Sequence, residues 1–137
     1  MIKEFKNRFM QGTLLTIIWL MCLTSLIFGS RQIELNYFWR IISISAQMSL
    51  VFSVGYTYVW NYGTWPAPIN ILATSLANFG VGYLSVYIYS RDLFGIVLPF
   101  WWLILTITVL LHIVIFYFWR RHQNKQLAQD LNELTKG

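Results

Sequence analysis

Residues 96–119 read IVLPFWWLILTITVLLHIVIFYFW, and no Asp, Glu, Lys or Arg interrupts them. A bilayer core of about 30 Å takes roughly 20 helical residues at a rise of about 1.5 Å each. The stretch is therefore long enough to cross a membrane as one helix. Pro99 opposes helix, but it stands in the first turn, where a missing amide costs least. Three earlier runs share this character: Phe9 to Gly29, Trp39 to Trp60 and Ile69 to Tyr89. None holds Asp, Glu or Lys, and their one Arg, Arg40, sits at an end from which its long stem reaches the headgroups.

The composition agrees. Hydrophobic residues make up 57% of the chain and charged residues 11%, against about 25% charged in soluble domains. Four such runs leave too little polar surface to clothe a soluble core. The connections, Ser30 to Phe38, Asn61 to Pro68 and Ser90 to Gly95, are short, so successive helices are antiparallel neighbours. The expected fold is all-α: one integral membrane domain over residues 1–137, four antiparallel transmembrane helices in an up-down-up-down bundle, and a last helix extended into a tail over 120–137. The first run is longer than a signal h-region of about 7–15 residues and lacks an A-x-A-like cleavage site, so it is expected to stay attached.

Orientation follows from the basic residues. Lys3, Lys6, Arg8, Arg120, Arg121, Lys125 and Lys136 lie on one side of the expected bundle, against Arg31, Arg40 and Arg91 on the other. This excess predicts a cell-membrane protein with both termini in the cytoplasm. Aromatic residues at the expected interfaces, among them Tyr37, Trp39, Trp60, Trp65 and Trp119, fit headgroup depth. Basic residues gathered at the two ends serve orientation better than nucleic-acid binding.

Polar groups inside the runs recur at helical spacing. Ser45, Ser49 and Ser53 share one face of the second helix, and Asn70, Thr74, Asn78 and Gly82 one face of the third. Gly12, Thr16 and Thr24 do the same on the first. Small or hydrogen-bonding residues at this interval let helices approach and bond across the contact, so they read as packing sites. A homo-oligomer seam or polar conduit is the sharper alternative. Gly80 reads as packing too. Gln47 and His112 are further mid-run polar groups; a neutral imidazole bonds across helices, while a pH-sensing or metal role is the other reading.

Enzymatic signatures are missing. Glu4, Glu34, Asp92, Asp130 and Glu133 lie in expected loops and ends, and no paired carboxylates, G-x-S-x-G, HExxH or phosphate-cradling glycine loop occurs. Cys22 is the only cysteine, so no intramolecular disulfide or Cys/His metal spacing forms. No enzyme, metal or cofactor is expected.

After Trp119 the residues favour helix, and Leu127, Leu131 and Leu134 form a narrow apolar stripe on a polar helix. Arg120, Arg121 and Lys125 suit an anionic inner leaflet, each worth about 1 kcal/mol there. The leucines need something else: a neighbouring copy, the N-terminal segment around Phe5, or a groove in a cytoplasmic protein.

The basic start and glycine-bearing first helix (KNRFMQGTLLTIIWLMCLTSLIFGS), the Trp-flanked middle turn (VWNYGTW) and the last helix running into a basic tail (FYFWRRHQNKQLAQDLNEL) together resemble the domain-of-unknown-function 3021 family of small bacterial membrane proteins. Two features depart from that pattern: the family's middle turn usually carries charges, and Asn78 stands near a common third-helix His. The resemblance implies pairing with a LytTR-type transcription regulator, held at the membrane by contact with Arg120, Arg121, Lys125, Leu127, Leu131 and Leu134. A small transport or assembly subunit, acting through an oligomeric interface of the polar stripes, is the alternative.

Overall fold

The computed structural model describes residues 2–29 and 34–134, with side chains to residue 132. Arg31 and Lys136 of the charge count, and the side chains of Glu133 and Leu134, lie outside the described residues. Among the described residues every regular element is helical, and four helices are long and apolar enough to cross a membrane.

Helix α1 spans Ile2–Phe28 and starts well before the apolar run, with an Arg8 to Glu4 ion pair of 3.1 Å along its first turns. It ends at Gly29, whose φ of 57° is left-handed and whose N–H reaches the Ser25 carbonyl at 2.9 Å. Glycine adopts this conformation without a Cβ clash and so closes the last turn. Helix α2 spans Asn36–Tyr62. It is α-helical over Asn36–Ser49, then widens into π-helical turns at Leu50–Gly55 and Tyr58–Tyr62.

Helix α3, Ala67–Tyr89, begins behind Pro66, whose carbonyl takes the amides of Ile69 and Asn70. Helix α4 is built from Arg91–Val97, a 3-10 turn at Leu98–Phe100 around Pro99, and Trp101–Leu134. The expected Ser90 to Gly95 connection is thus corrected to a single extended residue, Ser90. Its N–H ends α3 on the Val86 carbonyl, and its hydroxyl accepts from the Leu93 amide at 3.3 Å. One serine caps both helices, and Asp92 in the new first turn complements the helix dipole, so no longer loop is needed.

Contacts fix the antiparallel order. Phe5 near the start of α1 meets Tyr62 at the end of α2, with ring centroids 5.9 Å apart, and Phe28 at the other end meets Tyr37 at 5.5 Å. Tyr89 at the end of α3 lies 5.4 Å from Tyr37, and Tyr83 and Tyr87 meet Phe94 at the start of α4. The chain goes up, down, up and down, so the start of α1 and the far end of α4 lie at one end of the bundle.

The interior is polar and the exterior apolar, the reverse of a soluble domain. Thr24, Ser45, Ser49, Asn70, Thr74, Ser75, Ser85 and His112 are buried, while Leu14, Leu15, Ile18, Leu26, Leu110 and Ile115 are exposed. This distribution makes sense where hydrocarbon, not water, surrounds the helices. Thr24, Ser49, Thr74, Ser85 and His112 find hydrogen-bond partners in the interior, whereas Ser45 Oγ, Ser75 Oγ and Asn70 Oδ1 are buried with none.

Candidate functional site

The first helix crossing forms at Gly12. A Cβ there would stand 2.1 Å from Ser53 Oγ and 2.6 Å from Ser49 Oγ, so the missing side chain is what lets α1 lie against α2. The Ser49 hydroxyl uses that closeness to donate to the Phe9 carbonyl at 2.7 Å. Thr16 bonds back to the Gly12 carbonyl at 2.8 Å, and Thr24 reaches Tyr89 of α3 at 3.1 Å. Gln47 of α2 donates to Ser85 of α3 at 3.1 Å, a cross-helix role for that amide.

Most of the residues expected at packing positions are therefore inside one chain. Ser45, Ser49, Asn70 and Thr74 are buried and Ser53 is half-buried. Gly80 and Gly82 behave differently: a Cβ at either would meet nothing within 4 Å, so neither brings a helix close. Gly82 and Asn78 instead border an apolar cavity of about 460 Å³ that Leu20, Ile44 and Thr108 help to line. Sequence spacing placed these two on the right face, but the neighbouring helix stands off from them there.

The second centre is the one that sequence periodicity missed. Across the π-helical turns of α2 each bond spans five residues instead of four, as in the Tyr56 amide to the Val51 carbonyl and the Gly63 amide to the Tyr58 carbonyl. Tyr56, between the two π-helical turns, and Trp60, in the second, face α4. There Tyr56 Oη meets Nε2 of His112 and also lies 2.9 Å from the Thr74 carbonyl of α3. His112 Nδ1 lies 2.7 Å from the Thr108 carbonyl one turn earlier in its own helix. Three helices thus meet through a hydroxyl, an imidazole and two carbonyls, with His112 only 4% exposed.

An aromatic column leads away from this centre toward the bundle end where α1 starts. Trp60 stacks on Tyr56 at 5.5 Å and 23°, and meets Phe116 at 5.4 Å and Trp119 at 5.2 Å. Arg120 lies over the Phe116 and Trp119 rings, at 5.9 and 6.0 Å. From that residue α4 continues unbroken to Leu134. Arg121, Lys125, Leu127 and Leu131 are all exposed on this extension. Arg120, Arg121, Lys125, Leu127 and Leu131 therefore sit on one continuous helix, and Arg120 lies over two rings of the aromatic column.

No group of three or more His, Cys, Asp or Glu able to hold a metal ion occurs among the described residues. Comparisons of the chain with known protein families, with curated proteins and with solved structures find no match.

Proposed function

We propose that the chain is a multi-pass bacterial cell-membrane protein of the domain-of-unknown-function 3021 kind, with both termini in the cytoplasm, that binds and restrains a LytTR-type transcription regulator without catalysing a reaction. The observation that carries the reading is the unbroken passage of α4 from its apolar span into an exposed helix bearing Arg120, Arg121, Lys125, Leu127 and Leu131. A helix held rigid at its base loses little conformational freedom when it docks, so its contacts translate efficiently into affinity. The basic half suits the anionic leaflet, and the exposed leucines suit a groove in a soluble partner.

Transport or assembly through a polar oligomeric seam has less support. Part of the stripe it would use is engaged within one chain, Ser49 on the Phe9 carbonyl and Thr74 Oγ1 on the Asn70 carbonyl at 2.7 Å, and the Ser45 and Asn70 side-chain oxygens, though unpaired, are buried inside it. That leaves Ser45, Ser49, Asn70 and Thr74 little surface to offer a second copy.

The test is a deletion of residues 123–137, co-expressed with a LytTR regulator and a reporter under that regulator. The truncated protein is expected to remain membrane-bound and helical while the regulator leaves the membrane fraction and the reporter responds. A regulator still fully restrained by the truncated protein would overturn the assignment of the tail.

A further inference from the structure

Among the described residues the close helix pairs are α1 with α2, α2 with α3 and α3 with α4, and no comparable pairing joins α1 to α4. The bundle is therefore open along one side. The apolar cavity of about 460 Å³ occupies space that an α1–α4 contact would otherwise close, and all four helices wall it, through Leu20 and Leu23 of α1, Ile44 of α2, Val86 of α3 and Ile104 of α4. Asn78 and Tyr89, its lining residues farthest apart on α3, are about 16 Å apart along the helix axis. That is the depth of one leaflet, half of a hydrocarbon core of about 30 Å. Ser85 lines the wall too, but its hydroxyl donates to the Val81 carbonyl and accepts from Gln47, so it calls for no water.

Tyr89 borders a second pocket as well. This one, of about 450 Å³, lies where α3 ends and α4 begins, and Arg40, Tyr87, Arg91 and Asp92 help to line it. Arg40 donates to the Tyr89 carbonyl at 3.3 Å and lies over the Tyr37 ring at 5.3 Å, while Arg91 lies over the Tyr87 ring at 5.7 Å. Both are exposed, and neither belongs to an ion pair among the described residues. Asp92 faces the same space, so two cations stand against one carboxylate and the pocket keeps a positive charge. A guanidinium presents its N–H groups in a fork that matches the oxygens of a phosphate.

We infer that the chain binds one anionic phospholipid, with an acyl chain in the cavity between α1 and α4 and the phosphate on Arg40 and Arg91. An apolar slot as deep as a leaflet, continuous through Tyr89 with a cationic pocket at headgroup level, fits that amphiphile at both ends. Gly82 makes the room. A Cβ there meets nothing within 4 Å, so the absent side chain leaves space for a ligand and not for a neighbouring helix. Membrane insertion is the one part of the function proposed above that this site requires; neither the tail nor a regulator enters it. Loss of the protein from the membrane fraction would overturn both readings, whereas lipid binding bears on the site alone.

Native mass spectrometry of the full-length protein, released from mild detergent with dioleoyl phosphatidylglycerol or dioleoyl phosphatidylcholine added, counts the lipids each chain holds. One phosphatidylglycerol per chain is expected, held more tightly than phosphatidylcholine, which has the same acyl chains and no net charge. Arg40→Gln and Arg91→Gln should each weaken phosphatidylglycerol about fivefold and leave phosphatidylcholine unchanged. Gly82→Leu fills the cavity and should lose both lipids, while Gly80→Leu, equally free of close neighbours but outside the cavity lining, should keep them. Glycerol phosphate and oleate, the head and the chain alone, should bind far more weakly than the intact lipid. Equal retention of the two lipids by the unaltered protein, glycerol phosphate bound as tightly as phosphatidylglycerol, or a lipid-free dimer each overturns the inference without recourse to a variant. Unchanged lipid binding by folded Gly82→Leu protein overturns the placement of the acyl chain.

Discussion

Replacing Gly12 by alanine probes the geometry on which the α1–α2 crossing depends. The new methyl group would stand 2.1 Å from Ser53 Oγ, about 1.3 Å inside the 3.4 Å at which ordinary contact begins. Rotating the Ser53 hydroxyl away removes that clash but leaves Ser53 Cβ at 3.2 Å, so the helices must still part by a few tenths of an ångström. The Ser49 hydroxyl, at 2.6 Å, has less freedom, because it is committed to the Phe9 carbonyl. Losing that bond costs about 1 kcal/mol, and the residual overpacking about as much again. The sum, about 2 kcal/mol, lowers the folding equilibrium constant about thirtyfold. Titration of purified protein from mild micelles into sodium dodecyl sulfate, followed by a donor–acceptor pair on α1 and α2, reads this directly. Ser53→Gly in the same chain is expected to restore part of the loss. Unchanged stability of Gly12→Ala, with Ser53→Gly making no difference, would mean that the two helices do not cross at this glycine.

Gln47→Leu is expected to cost only about 0.6 kcal/mol in the same titration, typical of one interhelical hydrogen bond in a membrane bundle. Ser85 keeps its own bond to the Val81 carbonyl at 2.7 Å, so no buried group is orphaned; a loss several times larger would show that Gln47 holds more than Ser85. Cys22 is exposed on the apolar outer surface of α1 beside Trp19 and Leu26. In vesicles it should therefore react with an apolar maleimide and resist a charged one, and rapid labelling by the charged reagent would remove α1 from the bilayer.

The four spans were legible because long uncharged runs need no partner to identify them, and the seryl and threonyl stripes were legible because their spacing of four matches the helix. Ser49 and Thr74 are where that spacing puts them. The Ser90 turn was less so. A six-residue connection was expected between α3 and α4, yet one residue suffices once its hydroxyl caps the following helix. The π-helical turns left no mark in LVFSVG or YVWNY, since nothing in either stretch forbids an ordinary helix. They coincide with tertiary contacts, Tyr56 and Trp60 meeting His112, Phe116 and Trp119 of α4, which no local pattern discloses.

Four helices long and apolar enough to cross a membrane, with their hydroxyl and amide groups largely buried, explain why helix existence and helix rotation are written so differently in this chain. In water an apolar stripe tells a helix which side to bury, but where the surroundings are as apolar as leucine that stripe carries no such instruction. Rotation then falls to the few groups that must find hydrogen bonds. Gln47 with Ser85, Thr24 with Tyr89, and Tyr56 with both Thr74 and His112 each fix one helix against another. These pairs are 38, 65, 18 and 56 residues apart in sequence. A periodic reading along one helix can therefore mark each polar residue as inward-facing without disclosing which distant residue it meets. It follows that an α2 restored to ordinary α-helical turns would keep its span but swing Tyr56 away from His112, and the three-helix contact, not the ability to cross the bilayer, is what such a change would remove.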